Sequence, residues 1–366
     1  MPEKSAAKAI ASCHTAFLAS QETQMENLTV GNLRPEDDFM HEVGTDLSHN
    51  ESMFFNFFDA KQNVGGFVRI GNRPNEGHAE MTFCLFLGDG SLLMQWGRIP
   101  LEDKTAFRAG GLSFRVITPA RKLAVEYRAE AVRIADPYAL ANPGQAMRNN
   151  PKVDVHLQLD VSGVGPMIGD RDGNSKDAVI FLDGVGHYQQ AIHVVGSLTV
   201  GTEQIQLSAG GVRDHSWGPR IWHSIARDRS LWISFGPHLT VIACKTWLTG
   251  AQTADQMGCL IENGRVTPLK DIVVKSRFKP GTYYHNAVEL DLTDVNGRQL
   301  HLDGEVLSYA PLRHRKAGEE TVYLGQAMTR FTMNGETCLG LSEYFDAESR
   351  TAGLIAYSLS KEVCIE

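Results

Sequence analysis

Residues 153–161 read Val-Asp-Val-His-Leu-Gln-Leu-Asp-Val. Apolar and polar side chains alternate at every position, which is the period of a strand with one buried face and excludes an amphipathic helix. The same alternation occurs in residues 288–292 and, after the pair Asn296-Gly297, again in residues 300–302. Because Asn-Gly pairs supply the positive φ angles that tight hairpins require, the sequence predicts antiparallel strands joined by short turns.

Turn signals recur along the whole chain, where Asp-Gly or Asn-Gly pairs begin at residues 89, 172, 183, 263, 296, 303 and 334. Further strands are predicted at residues 66–70, 81–87, 92–97, 114–117, 193–200, 204–209, 231–235, 240–248, 323–333, 337–344 and 353–359. Strands that are separated by turns rather than by crossover helices favour sandwiches or barrels over a doubly wound sheet. The predicted fold class is therefore mainly β, with few helices.

Helical signals are few. The best lies in residues 48–62, where Ser48 and Glu51 have the spacing of a capping box ahead of an aromatic run. Residues 139–150 are read as an irregular linker or a short helix. The length of 366 residues favours two domains. We expect an N-terminal β domain at 1–150, with a helical lead-in over about 1–62, and a C-terminal β domain at 151–366, with some strand exchange between them.

The amino-acid composition limits the kinds of partner and cellular location that we expect for this protein. Acidic residues outnumber basic ones by 43 to 35, which gives a formal charge of −8 and no general attraction for nucleic acid. No apolar run is long enough to cross a bilayer and no apolar signal core follows the first residues, so we expect no integral membrane segment and a cytoplasmic location. The six cysteines lack paired spacing, which favours reduced core thiols, most clearly at Cys84 and Cys244. Dinucleotide, P-loop and GxSxG motifs are absent.

The densest chemistry lies in residues 210–223, Gly-Gly-Val-Arg-Asp-His-Ser-Trp-Gly-Pro-Arg-Ile-Trp-His. Large aromatic side chains are costly to expose, and a carboxylate between Arg and His is costly to bury unpaired. The combination predicts a partly buried polar network walled by indole rings. Three uses compete for it: Asp214 as an acid or base, a structural salt bridge from Arg213 or Arg220 to Asp214, and a metal site that uses His215 and His223.

Strand parity leaves two orientations open. Unbroken alternation after residue 207 turns Arg213 and His215 toward the interior and Asp214 away from it. A bulge at Gly210-Gly211 would reverse this and aim Asp214 inward. In either case Asp214 and His215 cannot form a hydrogen-bonded dyad, because adjacent strand residues face opposite sides.

Residues 213–220, Arg-Asp-His-Ser-Trp-Gly-Pro-Arg, resemble the signature of the AttH-like and carotenoid 1,2-hydratase-like proteins. This lipocalin-related superfamily also includes tocopherol cyclase and fungal decalin-forming Diels-Alderases. Residues 71–77, 187–190 and 340–344 resemble blocks of its uncharacterised bacterial branch, so the resemblance extends from about residue 65 onward. It implies two lipocalin-like antiparallel β-barrel or half-barrel domains, an apolar pocket, and acid–base chemistry on lipophilic molecules without a redox cofactor. We expect no cofactor, and no metal because His215 and His223 are eight residues apart with no matching carboxylate spacing.

The residues and the resemblance together predict a hydratase, dehydratase or isomerase of a small hydrophobic molecule such as a terpenoid, a steroid or an aromatic compound. Asp214, with a raised pKa, is the predicted proton donor or acceptor, His215 holds the water, and Arg220 positions the network. The predicted substrate-binding residues are Trp217, Trp222, Tyr188, Arg213, Glu343 and Tyr344. Among these the indoles and Tyr188 offer π faces to a developing cation, and Glu343 is a second candidate acid.

Two alternatives remain at the level of the sequence. A lipocalin-type binder would hold a lipophilic ligand without chemistry, although the density of charge in residues 213–220 argues against it. A cyclase or pericyclase would act mainly by folding its substrate, and would depend less on Asp214. Oligomeric state has no signal in the sequence.

Overall fold

The computed structural model describes residues 27–174, 179–180, 185–220, 224–315, 318–360 and 363–366. Their strands form one twelve-stranded and one nine-stranded sheet. The strands of the first sheet are β1 (Thr29–Gly31), β2 (His49–Asp59), β3 (Val64–Arg73), β4 (His78–Phe86), β5 (Leu92–Pro100), β6 (Phe107–Ala109), β7 (Leu112–Thr118), β8 (Lys122–Ile134), β9 (Lys152–Gly163), β10 (Met167–Asp170), β11 (Gly186–Val200) and β12 (Glu203–Pro219).

The second sheet follows in the chain. Its strands are β13 (Ile225–Ser234), β14 (Thr240–Leu248), β15 (Asp255–Glu262), β16 (Arg265–Phe278), β17 (His285–Asp294), β18 (Gln299–His314), β19 (Val322–Met333), β20 (Glu336–Ala347) and β21 (Cys364–Ile365). The described helices are two 3-10 turns, Pro35–Asp38 and Pro137–Ala141, and the α-helices α1 (Pro143–Asn149) and α2 (Glu348–Ser360).

Each sheet contains a closed antiparallel circuit of eight strands. The first runs β11-β12-β2-β3-β4-β5-β8-β9 and returns to β11. In the second, strands β13 to β20 pair in chain order, and β20 pairs with β13 to close the circuit. The predicted hairpin across Asn296-Gly297 is the turn between β17 and β18. The predicted mainly β fold with lipocalin-like barrels and few helices is confirmed.

Apolar side chains fill three layers. Phe55 and Phe83 lie inside the first barrel, and Leu290 and Phe331 lie inside the second. A third layer combines residues of both sheets, such as Phe67 and Ile242. Strands that border this third layer are buried on both faces, because one face points into the strand's own barrel and the other packs against the opposite sheet.

The helix predicted at residues 48–62 is wrong, because this segment forms the strand β2. Met53, Phe55 and Phe57 point into the first barrel, whereas Phe54 and Phe58 point into the layer between the sheets. Burial on both faces produces a continuous apolar run, which hides the period of two that identifies a half-buried strand. The helical lead-in is therefore wrong for these residues, and residues 1–26 lie outside the described part of the chain.

The strand predicted at residues 353–359 is also wrong, because the segment lies in α2. Leu354 and Ser358, one turn apart, are its buried residues, and its other apolar side chains are mostly exposed. A run of seven residues is too short to distinguish one buried helical stripe from alternation. For residues 139–150 the short-helix alternative is correct, since a 3-10 turn and α1 occupy the segment.

The change from one sheet to the other falls between Pro219 and Ile225. The domain boundary predicted at residue 150 lies within the first sheet instead, because β8 and β9 pair side by side across it. All five described cysteines are free and buried, including Cys84 and Cys244, which confirms their prediction as core thiols. Among the described helices none is long and apolar enough to span a membrane.

Candidate active site

A cavity of about 690 Å³ lies between the two sheets. Both barrels contribute to its wall. Its main apolar residues are Phe54, Phe67, Met94, Trp96, Trp232, Met257, Leu312, Leu324 and Phe345. Its main polar residues are Asn50, Ser52, Arg69, Glu80, His187, Gln189, Asp214, Ser216, Arg220, Asp228, Ser230, Thr246, Gln326 and Glu343. The volume is in the range of cavities that bind small organic molecules.

The alternation of side chains between the two faces of β12 places Asp214 on this wall. Its register with β11 is unbroken from Glu203 to Trp217, so there is no bulge at Gly210-Gly211. Asp214 therefore points out of the first barrel, as simple alternation predicts. The second barrel covers that outer face, and the carboxylate faces the cavity rather than bulk solvent.

Asp214 belongs to a hydrogen-bonded chain that crosses between the sheets. It accepts hydrogen bonds from the His187 ring and from the Gln189 amide, the latter at 3.2 Å. The Trp232 indole of the second barrel donates to Gln189 Oε1 at 3.1 Å. Burial alone would raise the pKa of Asp214, but His187, Arg220 and Gln189 stabilise the anion and hold this pKa below its usual range. The raised pKa predicted for Asp214 is therefore wrong in direction.

Glu343 is the carboxyl group that matches the electrostatics expected of a proton donor. It lies on β20 between Ser230 of β13 and Gln326 of β19. Burial raises the pKa of Glu343 to about 8; nearby Asp228 and Asp214 raise it, while Gln326 and Arg220 act in the opposite direction. The side chain is therefore mostly protonated at neutral pH.

Asp228 lies near Glu343 on the same wall. Its carboxylate accepts hydrogen bonds from the Ser230 hydroxyl at 2.7 Å and from the Thr246 hydroxyl. Burial nevertheless raises the pKa of Asp228. Two acids of the second barrel thus share an environment that disfavours their charged forms.

Arg220 follows directly after β12 and also lines the cavity. Its backbone amide donates to the Ser48 carbonyl at 3.1 Å, which fixes the chain at this point. Burial lowers the pKa of Arg220 to about 10, while Asp214 and Glu343 both favour its charged form. The guanidinium is thus electrostatically coupled to both candidate acids.

Arg213 and Tyr188 lie on the opposite face, inside the first barrel, and do not line the cavity. The fully buried Arg213 donates to both oxygens of Asp38 at 2.6 and 3.0 Å, to the Tyr188 hydroxyl at 2.7 Å and to Gln190 at 2.7 Å. The salt bridge considered between Arg213 and Asp214 is replaced by one with Asp38. This closed network has a structural role.

His215 and Trp217 share that inner face. His215 Nε2 lies 3.1 Å from Glu51 Oε1, and His41 Nδ1 lies 2.8 Å from the same oxygen. The Trp217 ring stacks on His41 with centroids 3.8 Å apart. His41, Glu51 and His215 offer donor atoms within 4.8 Å of one another, a spacing compatible with a metal ion, but away from the cavity wall. Trp222 and His223 lie outside the described residues.

Tyr344 points into the second barrel, away from its neighbour Glu343. Its ring stacks on His285 at 3.8 Å, and its hydroxyl shares a hydrogen bond of 2.7 Å with Ser276. The Arg229 guanidinium lies 4.2 Å from the Tyr344 ring centroid. Of the predicted site residues that the structure describes, only Asp214, Arg220 and Glu343 line the cavity.

Several residues of this wall had no assigned role in the sequence interpretation, chiefly His187, Asp228 and Gln326. A signal existed for Asp228. Asp228 and Trp232 are four residues apart on one strand and thus share a face. The sequence does not reveal that this face meets β12, because the contact joins two separate barrels.

Two lipocalin-like barrels with a cavity between them, lined by acids and aromatic rings, define the class of this protein. The chain belongs to the family described as Domain of unknown function (DUF7064), whose model matches residues 34–348. Among curated protein sequences none matches it.

Solved structures share the fold. The crystal structure of CghA has a TM-score of 0.51 and 11% identity, covering 88% of this chain and 96% of CghA. An AttH-like protein from Nitrosomonas europaea has a TM-score of 0.51 and 12% identity, covering 86% of this chain and 96% of the other. Kievitone hydratase from Nectria haematococca has a TM-score of 0.45 and 10% identity, covering 87% and 96%. The first two of these structures confirm the predicted AttH-like, lipocalin-related fold.

Proposed function

We propose that this protein is an acid–base enzyme, a hydratase, dehydratase or isomerase, that acts on a hydrophobic small molecule in the cavity between the barrels. One observation carries the proposal. Glu343, whose pKa is raised to about 8, lies on the wall of a largely apolar cavity of about 690 Å³. An acid whose pKa is near the working pH is effective in general acid catalysis.

In the proposed reaction Glu343 replaces Asp214 as the proton donor. Its proton passes to an alkene carbon in hydration, or to a departing hydroxyl group in dehydration. In hydration, water adds to the resulting cationic carbon, and the anionic Asp214 paired with His187 is suited to accept the proton that the added water loses. In dehydration, the protonated hydroxyl leaves as water, and the same carboxylate is suited to accept the proton that the neighbouring carbon loses as the alkene forms. Arg220 stabilises the carboxylate that Glu343 becomes, because its charge couples to both acids.

Aromatic faces on the wall suit a developing positive charge. The rings of Phe54 and Trp232 lie 5.7 Å apart, and those of Phe54 and Phe67 lie 5.5 Å apart. Aromatic faces attract cations, especially where water is excluded. These rings therefore take the role that the sequence interpretation gave to Trp217 and Tyr188, which face the barrel interior.

Gln326 can form a hydrogen bond with Glu343 in either protonation state. Its Nε2 donates to Glu343, while its Oε1 is buried with no hydrogen-bond partner among the described residues. Rotating the Gln326 side-chain amide by about 180° would exchange Nε2 and Oε1. Oε1 would then accept the hydrogen bond that only a protonated Glu343 can donate. The same side chain thus stabilises Glu343 before and after proton transfer.

Proton transfer can be measured before the natural substrate is known. We would incubate the protein in D₂O with a panel of terpenoid, steroid and aromatic alkenes and alcohols, then detect non-exchangeable deuterium or a gain or loss of water by mass spectrometry. We expect at least one compound to react, and Glu343→Gln to abolish the reaction. Glu336→Gln, the same change at an exposed site on the same strand, serves as the control.

Three results would contradict the proposal. A panel member that binds in the cavity of the unmodified protein, as a complex structure would show, yet is never altered would favour a lipocalin-type binder. Turnover that survives in Glu343→Gln with its rate unchanged would favour a cyclase that acts by folding its substrate. Loss of turnover in Glu336→Gln as well would show that the effect is not specific to Glu343.

A further inference from the structure

The charges on the cavity wall have the opposite balance to those of the whole protein. The chain has a formal charge of −8. Among the residues that the structure describes, its cavity is lined by five arginines, Arg69, Arg98, Arg220, Arg313 and Arg315, and by four acids, Glu80, Asp214, Asp228 and Glu343. Arginines therefore outnumber acids in the described part of the wall, even before the protonation of Glu343 is considered. A cavity that bound only neutral hydrocarbons would have no need of this excess.

The excess is concentrated around Glu80, on β4. Arg69 and Arg98 approach its carboxylate at 3.6 Å each, and Arg73 at 3.5 Å. Arg73 also pairs with Glu76 at 3.0 Å, so three guanidinium groups face two carboxylates.

Two members of this cluster are placed to meet a ligand. Arg69 and Arg98 line the cavity, and the Arg69 side chain is only 14% exposed while that of Arg98 is 68% exposed. The cluster therefore spans from a shielded position to the rim. Guanidinium groups bind carboxylates through paired hydrogen bonds, and such bonds are strongest where water is scarce.

We propose that the ligand of this cavity is an anionic lipophile, with a carboxylate or enolate oxygen bound beside Arg69 and Arg98. The inference rests on the proposed function and specifies the substrate class. The negative group would lie on the wall formed by β3 to β5, and the apolar body would extend past Phe54 and Trp232 toward Glu343 on the second barrel. The arginines then fix the register of the ligand, and so determine which atoms reach the acid.

A matched pair of probes tests this without a known substrate. We would titrate the full-length protein with 11-(dansylamino)undecanoic acid and with its methyl ester at neutral pH, and follow dansyl fluorescence. The two differ only at one end, where the methyl ester replaces the negatively charged carboxylate. We expect the acid to bind at least about 10-fold more tightly, equivalent to about 1.4 kcal/mol. Equal affinities for acid and ester would overturn the inference.

Variants locate the charge recognition. Arg69→Met and Arg98→Met are each expected to reduce the preference for the acid, Arg69→Met more strongly because it is the more shielded, and to leave the affinity for the ester nearly unchanged. Glu80→Gln removes the competing carboxylate and is expected to strengthen binding of the acid. Arg277→Met, at an exposed arginine of the second barrel, should change neither affinity. A preference for the acid that persists in both arginine variants would overturn the assignment.

The exposed Arg98 keeps the test informative if Arg69→Met fails to fold, because replacing a rim side chain leaves the packing intact. Failure of this inference differs from failure of the proposed function. Turnover that depends on Glu343, together with equal binding of acid and ester, would overturn the anionic ligand alone. A clear preference for the acid in a protein that alters no compound would overturn the proposed enzymatic function alone.

Discussion

Replacing Glu343 with Gln should change how the stability of the protein depends on pH. The carboxyl group titrates near 4.5 in an unfolded chain and at about 8 in the folded protein. Between these values only the folded state holds the proton, so the free energy of unfolding falls by about 1.4 kcal/mol for each unit that pH rises. The stabilisation is complete below about pH 4.5 and is lost as pH passes about 8. From about pH 5.5 to 7.5 this one group accounts for a loss of about 2.5 kcal/mol.

Urea unfolding of the unmodified protein and of Glu343→Gln, at several pH values across this window, measures the effect. Gln does not titrate, so the variant should gain about 2.5 kcal/mol relative to the unmodified protein from the lower to the upper pH. Groups that do not interact with Glu343 titrate alike in both proteins and cancel in the difference. Glu336→Gln, at an exposed position, should show no such trend. A constant difference across the window would refute the raised pKa and remove the main support for Glu343 as the acid.

Two further predictions concern the frame of the site. Arg213→Met leaves the buried Asp38 carboxylate without its charged partner and should lower the free energy of unfolding by about 3–5 kcal/mol, as measured by urea denaturation; a loss below about 1 kcal/mol would contradict the structural role of the pair. In Gly211→Ala the added Cβ would lie 1.9 Å from the Asn56 carbonyl oxygen, so β12 and β2 must separate, and we expect a loss of about 1–3 kcal/mol in the same assay. Gly353→Ala lies in α2, where the added Cβ would meet no described atom within 4 Å apart from its chain neighbours and its own helix backbone. It should instead stabilise by about 0.5–1 kcal/mol, and equal effects of the two changes would refute the steric argument.

Secondary structure was predictable wherever a strand has one buried face and one solvent-exposed face. Residues 153–161 lie in β9, where buried and exposed positions alternate as the sequence does. Prediction failed at β2, because both of its faces are buried and its aromatic run matches a helical stripe equally well. It failed again at α2, whose few buried residues leave too little pattern to identify a helix.

The candidate site was predictable only in part, for a related reason. Residues 213–220 stood out by composition, but the alternation of β12 divides them between two environments. Arg213 and His215 complete polar networks inside the first barrel, whereas Asp214 faces the cavity. Composition shows that such a segment is unusual, and it does not show which side chains act together.

The sequence by itself determined that this chain forms antiparallel strands, that its described cysteines are core thiols, and that its densest group of charged and aromatic residues surrounds Asp214. These properties follow from local patterns, in which neighbouring residues carry the information. Only the tertiary structure decided that the outer face of β12 is covered by a second barrel, and that Glu343 rather than Asp214 retains its proton. A pKa depends on burial and on charges that arrive from distant parts of the chain, and the meeting of two barrels is what brings those charges together.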